Sequence, residues 1–129
     1  PITLITTSME SITLESPLKT GSRNAIWDML STPGGLEAWM ADGVKQTDNR
    51  FLFRWDDEER EAELVGRRIG TYVRYHWLDE EDGTFFELRI GYSELTRDYS
   101  LVIREETNEG PDDLEQFWNA SVEQLCKLI

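Results

Sequence analysis

Apolar residues at every second position dominate the middle of the sequence. Between residues 44 and 104 large apolar side chains alternate with polar ones, as in Phe51, Phe53 and Trp55, and this is the spacing of a strand with one buried face. Turn-forming residues, for instance those at 81–83, separate the runs, and short turns join antiparallel neighbours. The pattern therefore predicts an antiparallel sheet with one apolar face, which another element must cover.

The C-terminal segment has the pattern of one long amphipathic helix. Gly110 and Pro111 open it, Asp112 and Asp113 suit the positive end of its dipole, and Lys127 suits the other end. Its apolar face repeats at three-to-four spacing and comprises Leu114, Phe117, Trp118, Ser121, Val122, Leu125 and Leu128. Such a helix can cover the sheet, and six side chains are then predicted to meet between them: Tyr75, Trp77, Phe86, Leu88, Phe117 and Trp118.

The N-terminal part adds one strand and two short helices. Residues 11–18 alternate as a strand, after which Ser22 and Thr32 can cap successive helices that Pro33 separates. The predicted order is a strand, two short helices, about six antiparallel strands and the long helix. This is an α+β fold with a curved antiparallel sheet of six or seven strands. The length of 129 residues suits a single domain over residues 1–129, with residues 1–9 as a flexible lead-in.

The charge of the chain is strongly negative and restricts its partners. There are 26 acidic and 13 basic residues, so the formal net charge is −13. Nucleic acids and anionic membrane surfaces are bound by clustered Lys and Arg, so the composition argues against both. The excess of acid favours solubility, and it leaves a basic protein as an alternative partner.

The sequence carries no sign of export or of membrane insertion. Cys126 is the single cysteine, so an internal disulfide cannot form, which fits a reducing compartment. The start lacks a secretory leader pattern, and no apolar stretch approaches the roughly 20 residues of a membrane span. We therefore expect a cytoplasmic protein.

The helical segment at 22–40 resembles a known family. It contains Trp27, then Thr-Pro-Gly-Gly-Leu at residues 32–36, then Trp39, and it is followed by a strand at 73–77 that ends in Trp. In these motifs, and in Trp118 of the last helix, the chain is similar to the heat-shock-protein-90 ATPase activator homologue (Aha-type) family. That family belongs to the START-like (SRPBCC, helix-grip) superfamily. The resemblance covers about residues 11–129, and it implies a cavity between the sheet and the C-terminal helix.

Few residues are candidates for catalysis or metal binding. His76 is the single histidine and is predicted on the outer face of its strand, while Cys126 is predicted as a partly buried thiol beside the helix stripe. The acidic runs at 56–59 and 79–82 lack the spacing of a calcium loop, so solvated turns are expected there. The glycine pair at 34–35 is not followed by the residues of a phosphate loop. We assign no cofactor, no metal site and no catalytic residue.

The aromatic residues are the main functional signal, and they have two interpretations. Large rings fill cores well, but aromatic side chains with a few polar groups also line small-molecule sites. The family resemblance favours the second interpretation. The predicted ligand-binding residues are Trp39, Phe53, Trp55, Tyr75, Trp77, Phe86, Leu88, Phe117 and Trp118. Polar groups could come from Tyr75, Arg89, Tyr92 and Tyr99.

The sequence therefore predicts a domain that binds a small hydrophobic molecule, a lipid or a metabolite, between sheet and helix. One alternative is a protein-interaction module of the co-chaperone type, which would use the acidic surface for a basic partner. Another alternative is an enzyme acting on a hydrophobic metabolite, for which His76 or a buried carboxylate would have to face the cavity.

Overall fold

The computed structural model describes residues 10–107 and 111–129. Predictions for residues 1–9 and for Gly110 lie outside these described residues. Ten elements follow one another along the chain: β1 (Glu10–Leu18), α1 (Arg23–Ser31), α2 (Pro33–Trp39), β2 (Gly43–Thr47), β3 (Arg50–Trp55), β4 (Glu58–Arg68), β5 (Tyr72–Trp77), β6 (Phe86–Ser93), β7 (Asp98–Thr107) and α3 (Pro111–Leu128). The order agrees with the predicted α+β arrangement.

The two short helices begin where the sequence places their caps. The Ser22 hydroxyl accepts a hydrogen bond from the Ala25 N–H at 3.2 Å, and the Thr32 hydroxyl accepts one from the Gly35 N–H at 2.9 Å. Each cap satisfies a backbone donor that has no partner within its helix. Pro33 occupies the first turn of α2, where a missing N–H costs nothing.

All seven strands form one antiparallel sheet in the order β1-β7-β6-β5-β4-β3-β2. The first and last strands of the chain are thus neighbours, and Leu14 lies opposite Ile103. Sheet pairing extends further than the sequence indicated at two places. β4 begins at Glu58, which shortens the predicted acidic turn, and β7 continues beyond Arg104 to Thr107.

The connection between β5 and β6 is longer than a tight hairpin. It spans residues 78–85, and Gly83 adopts a left-handed φ of 87° within it. The loop places Asp79 and Glu80 beside the start of β4, where both carboxylates reach Arg60. The turn predicted at 81–83 is therefore one part of an acidic loop.

The core lies between the inner face of the sheet and the three helices. The alternation in β3, β5, β6 and β7 sends one side chain in two inward, and Trp118 and Leu125 of α3 are fully buried against these residues. Among the described helices, none is long and apolar enough to span a membrane. Burying this apolar face supplies the main driving force for folding.

Candidate functional site

A recess opens where several strands of the sheet end, beside the first half of α3. At this end of the sheet β3, β5 and β7 finish and β4 begins, because neighbouring strands are antiparallel. The recess has a volume of about 290 Å³, close to the lower limit for small-molecule sites. Eight residues line it: Trp55, Glu58, Arg60, Trp77, Glu105, Leu114, Phe117 and Trp118.

Four of the eight lining residues are aromatic. The ring of Trp55 lies 5.8 Å from that of Phe117 and 6.3 Å from that of Trp77, measured between centroids. Phe117 in turn meets Trp118 edge-on at 5.1 Å. These separations are typical of favourable aromatic pairs. The four rings therefore form a continuous apolar surface that borders open space.

The nine predicted ligand-binding residues divide into two groups. Four of them, Trp55, Trp77, Phe117 and Trp118, line the recess. The other five lie between sheet and helices outside this lining: Trp39, Phe53, Tyr75, Phe86 and Leu88. Each of them is at most 4% exposed, as are Trp77 and Trp118. Burial alone therefore does not separate the two groups, and the four wall residues are those that border the open space beside α3.

Two of these five residues, Trp39 and Tyr75, are held by hydrogen bonds to backbone carbonyl groups. The indole N–H of Trp39 donates to the Met29 carbonyl at 2.8 Å, and the Tyr75 hydroxyl donates to the Leu30 carbonyl at 3.0 Å. Burial raises the pKa of Tyr75, so its hydroxyl remains protonated. Both side chains connect the sheet and α2 to the end of α1.

Glu105 is the buried acid of the site. Its side chain is only 3% exposed, and each carboxylate oxygen accepts one indole N–H, from Trp77 at 3.1 Å and from Trp118 at 2.9 Å. Burial raises the pKa of Glu105, although the hydrogen bonds from Trp118 and Trp77 and the nearby charge of Arg60 oppose the shift. The carboxyl group is therefore anchored at the base of the recess.

Sequence reasoning missed Glu105 because it ended the last strand at Arg104. The signal that could have revealed it is the alternation itself. Leu101 and Ile103 point inward, so the next two alternate positions, Glu105 and Thr107, also fall on the inner face. An acid in phase with a buried stripe indicates a buried carboxyl group.

Arg60 is the second residue that the sequence did not single out. Its guanidinium lies 4.0 Å from the centroid of the Trp77 ring, and it donates to both carboxylate oxygens of Asp79 at 2.8 and 2.7 Å. Glu80 lies 3.6 Å away. Burial alone would lower the pKa of Arg60, but the hydrogen bond and charge of Asp79 outweigh burial and raise it. Arg60 thus remains charged at the wall of the recess.

The polar groups suggested by the sequence lie elsewhere. Arg89 projects from the opposite face of the sheet, where it donates to Glu87 at 3.3 Å. Tyr92 and Tyr99 contact each other at 4.9 Å and line a separate groove near the β6–β7 turn. None of these three residues lines the recess, because strand phase or position along the strand places them away from it.

His76 and Cys126 do not line the recess either. His76 is half-buried on the outer face, as predicted, and its Nδ1 lies 2.7 Å from the Thr84 carbonyl oxygen. Since a carbonyl can only accept, Nδ1 carries the hydrogen in that contact. Cys126 is exposed, so the prediction of a partly buried thiol is wrong. It follows the buried Leu125, and one helical step turns its side chain towards solvent.

A metal centre is not formed by the described residues. In residues 10–107 and 111–129 no group of three or more His, Cys, Asp or Glu side chains has the arrangement to hold a metal ion. The recess therefore offers an apolar surface, a buried carboxyl group and a paired guanidinium. This combination is suited to binding a small molecule that has an apolar body and a polar end.

The fold and the recess define a helix-grip domain, and comparison with known proteins agrees with this class. The model of the START-like superfamily domain matches residues 7–129. The chain belongs to the START-like superfamily. No curated protein of similar sequence was found.

Solved structures share this fold. A Bacteroides fragilis protein, solved by solution NMR, is 40% identical, with 93% of this chain and 90% of that one covered and a TM-score of 0.62. The Aha1 dimer from Colwellia psychrerythraea has a TM-score of 0.75 at 15% identity, covering 91% and 93% of the two chains. CalU16 from Micromonospora echinospora has a TM-score of 0.70 at 13% identity, covering 90% and 63%. The last two similarities concern the fold alone.

Proposed function

We propose that this domain binds a small, largely apolar molecule in the recess between these strand ends and α3. The observation that carries the proposal is the aromatic surface of Trp55, Trp77, Phe117 and Trp118 around a space of about 290 Å³. The START-like fold, which this chain shares, commonly binds hydrophobic ligands. Burial of an apolar ligand against these rings would be driven by the hydrophobic effect.

The proposal is tested by amide and indole NMR with a neutral aromatic probe, 4-tert-butylbenzyl alcohol. The indole N–H groups of Trp77 and Trp118 point at Glu105 in the recess, and that of Trp55 donates to the Met40 carbonyl. We expect saturable shifts of these three indole signals. The indole signals of Trp27 and Trp39 should stay unchanged. The absence of any saturable shift, both with this probe and with charged probes of the same shape, would overturn the proposal.

A matched pair of variants locates the binding site. Phe117→Ala removes a ring from the recess wall, whereas Phe85→Ala removes a ring that packs against Arg74 on the opposite face of the sheet. We expect the first variant to weaken probe binding about tenfold, as for a ring that contributes about 1–2 kcal/mol, and the second to leave binding unchanged. Equal weakening by both variants would place the binding elsewhere.

One observation favours the enzyme as a second candidate. The buried carboxyl group of Glu105 borders the recess, and burial raises its pKa, as in carboxyl groups that act as general acids or bases. A base at this position would promote hydrogen exchange next to the carbonyl of an apolar ketone. The test follows deuterium uptake into phenylacetone in D₂O by NMR. If deuterium uptake were equally fast with the wild-type protein, with Glu105→Gln and with buffer alone, the proposed enzymatic activity would be rejected.

A further inference from the structure

The indole donors of the recess are already used within the protein. All three of its indole N–H groups already donate within the protein, Trp77 and Trp118 to Glu105 and Trp55 to the Met40 carbonyl. The Nε and one terminal nitrogen of Arg60 are engaged by Asp79 and Glu80, which leaves its other terminal nitrogen as the remaining donor of the described lining. The other polar groups that line the space are the carboxyl groups of Glu58 and Glu105, so a ligand that brings a donor or a positive charge finds acceptors there.

The charges around the recess are predominantly negative. Glu58 and Glu105 line it, and Asp79 and Glu80 stand behind Arg60. The carboxylate of Glu58 has no cation as a partner among the described residues. Because the chain also has a net charge of −13, the electrostatic potential at the recess attracts cations and repels anions.

The aromatic wall already holds one cation. Arg60 stacks on the ring of Trp77 at 4.0 Å, which is a close cation–π contact. The rings of Trp55 and Phe117, at 5.8 Å from each other, stand next to this pair and border the open space. Several rings beside a carboxylate form the kind of cage that recognises alkylated ammonium groups.

We propose that the ligand is an organic cation, a quaternary or protonated amine with an apolar group, held by the ring faces and by Glu58 and Glu105. This inference rests on the function proposed above and specifies the chemical class of the ligand. The ammonium group would lie towards the carboxylates, and the apolar group would lie against Trp55, Phe117 and Leu114.

Three probes of similar shape separate charge from apolar burial. They are 4-(trimethylammonio)benzyl alcohol, its neutral isostere 4-tert-butylbenzyl alcohol and the anion 4-(hydroxymethyl)benzenesulfonate. We expect the cation to bind about tenfold more tightly than the isostere, since a desolvated cation–π contact and a carboxylate together supply this factor. The anion should bind most weakly. Dissociation constants come from the NMR titration at fixed ionic strength.

Neutralising single carboxylates tests whether local charge is responsible. Glu58→Gln should reduce the preference for the cation several-fold and leave the neutral probe unaffected. Its control is Glu59→Gln, which makes the same charge change one residue further on, on the opposite face of β4. Glu105→Gln has its control in Glu106→Gln, on the opposite face of β7. Since Glu58 is exposed, its variant is expected to fold even if Glu105→Gln does not.

The outcomes distinguish this inference from the proposed function. Equal or tighter binding of the neutral probe would overturn the inference that the ligand is a cation. The recess would then remain an apolar site. A loss of preference in Glu59→Gln as large as in Glu58→Gln would also overturn it, because overall charge alone would then be responsible. Failure of all three probes to bind would reject the proposed function itself.

Discussion

Glu105 connects the packing of this domain to its site. A carboxylate that is only 3% exposed is costly to bury unless its oxygens are hydrogen-bonded. Here Trp77 and Trp118 supply one N–H each, so a strand and the C-terminal helix share one acceptor. The two tryptophans are thereby oriented with their N–H edges inward and part of their rings towards the recess.

The two indole donors depend on Glu105, and its replacement by Leu leaves both of them unsatisfied. An unsatisfied buried donor costs about 1–3 kcal/mol, so we expect Glu105→Leu to lower the free energy of unfolding by roughly 2–4 kcal/mol. Glu105→Gln keeps an acceptor for one indole and should cost less. Urea denaturation followed by circular dichroism measures both. A stability of Glu105→Leu equal to that of the wild type would contradict the proposed role of this carboxyl group.

The raised pKa of Glu105 gives the stability of the protein a pH dependence of known sign. Just above pH 4.5, the ordinary value, the unfolded chain has lost this proton while the folded chain still holds it, until the pH passes the folded pKa. The contribution of Glu105 to stability is therefore greatest below this pH and falls as pH rises through the folded pKa. We expect the stability of the wild type relative to Glu105→Gln to decrease as pH rises above 4.5. An increase would indicate that the indole hydrogen bonds lower the pKa instead.

At the scale of elements, α1 and α2 fit together through one close approach. A Cβ on Gly35 would overlap the carbonyl oxygen of Asp28 and would lie 2.7 Å from the Cα of Met29. These are backbone atoms, so neither can move aside without displacing α1. Gly34, the preceding residue in α2, has open space at the same position. The second glycine of the pair is therefore required by packing, and the first is not.

This difference between adjacent glycines makes a direct test. We expect Gly35→Ala to destabilise the fold by about 2 kcal/mol or more, since overpacking against backbone is costly. Gly34→Ala should stabilise it by about 0.5–1 kcal/mol, because alanine favours the helix. Thermal and urea unfolding of the two variants provide the comparison. If both variants lost the same stability, the close contact between α1 and α2 would not be the cause.

Across the whole molecule, acidic charge is far in excess of basic charge. The formal net charge of −13 over 129 residues produces self-repulsion in the compact state. Ion pairs such as that of Glu87 with Arg74, at 2.7 Å, oppose it locally. The balance between the two decides how the domain responds to salt. The prediction of a basic protein partner, which also rests on this charge, stays a prediction.

We expect salt to stabilise this protein. Raising NaCl from about 0.01 M to 0.3 M shortens the screening length from roughly 30 Å to below 10 Å, which weakens repulsion among the surface carboxylates. The melting temperature at pH 7 should therefore rise by a few degrees. Differential scanning calorimetry at the two ionic strengths measures the shift. A fall in melting temperature would mean that the ion pairs contribute more than the overall repulsion.

The sequence by itself determined the elements and their faces. The caps at Ser22 and Thr32, the alternation in the strands and the stripe on α3 are local patterns with one structural solution each. Covering the apolar face of the sheet with α3 then follows, because no other element is long enough. The α+β arrangement of sheet and covering helix could therefore be predicted from these patterns, and the family resemblance added the helix-grip fold.

Tertiary structure alone decided which aromatic residues form a core and which form a wall. Phe86 and Trp77 have the same pattern in the sequence, but Phe86 is enclosed whereas Trp77 borders open space. Arg60 and Glu105 are 45 residues apart in the sequence, and both line the recess. Nothing in either segment indicates that the other lies nearby. Whether the space between such side chains is filled depends on how closely the strand ends and α3 approach each other. That distance is a property of the packed molecule and not of any local pattern.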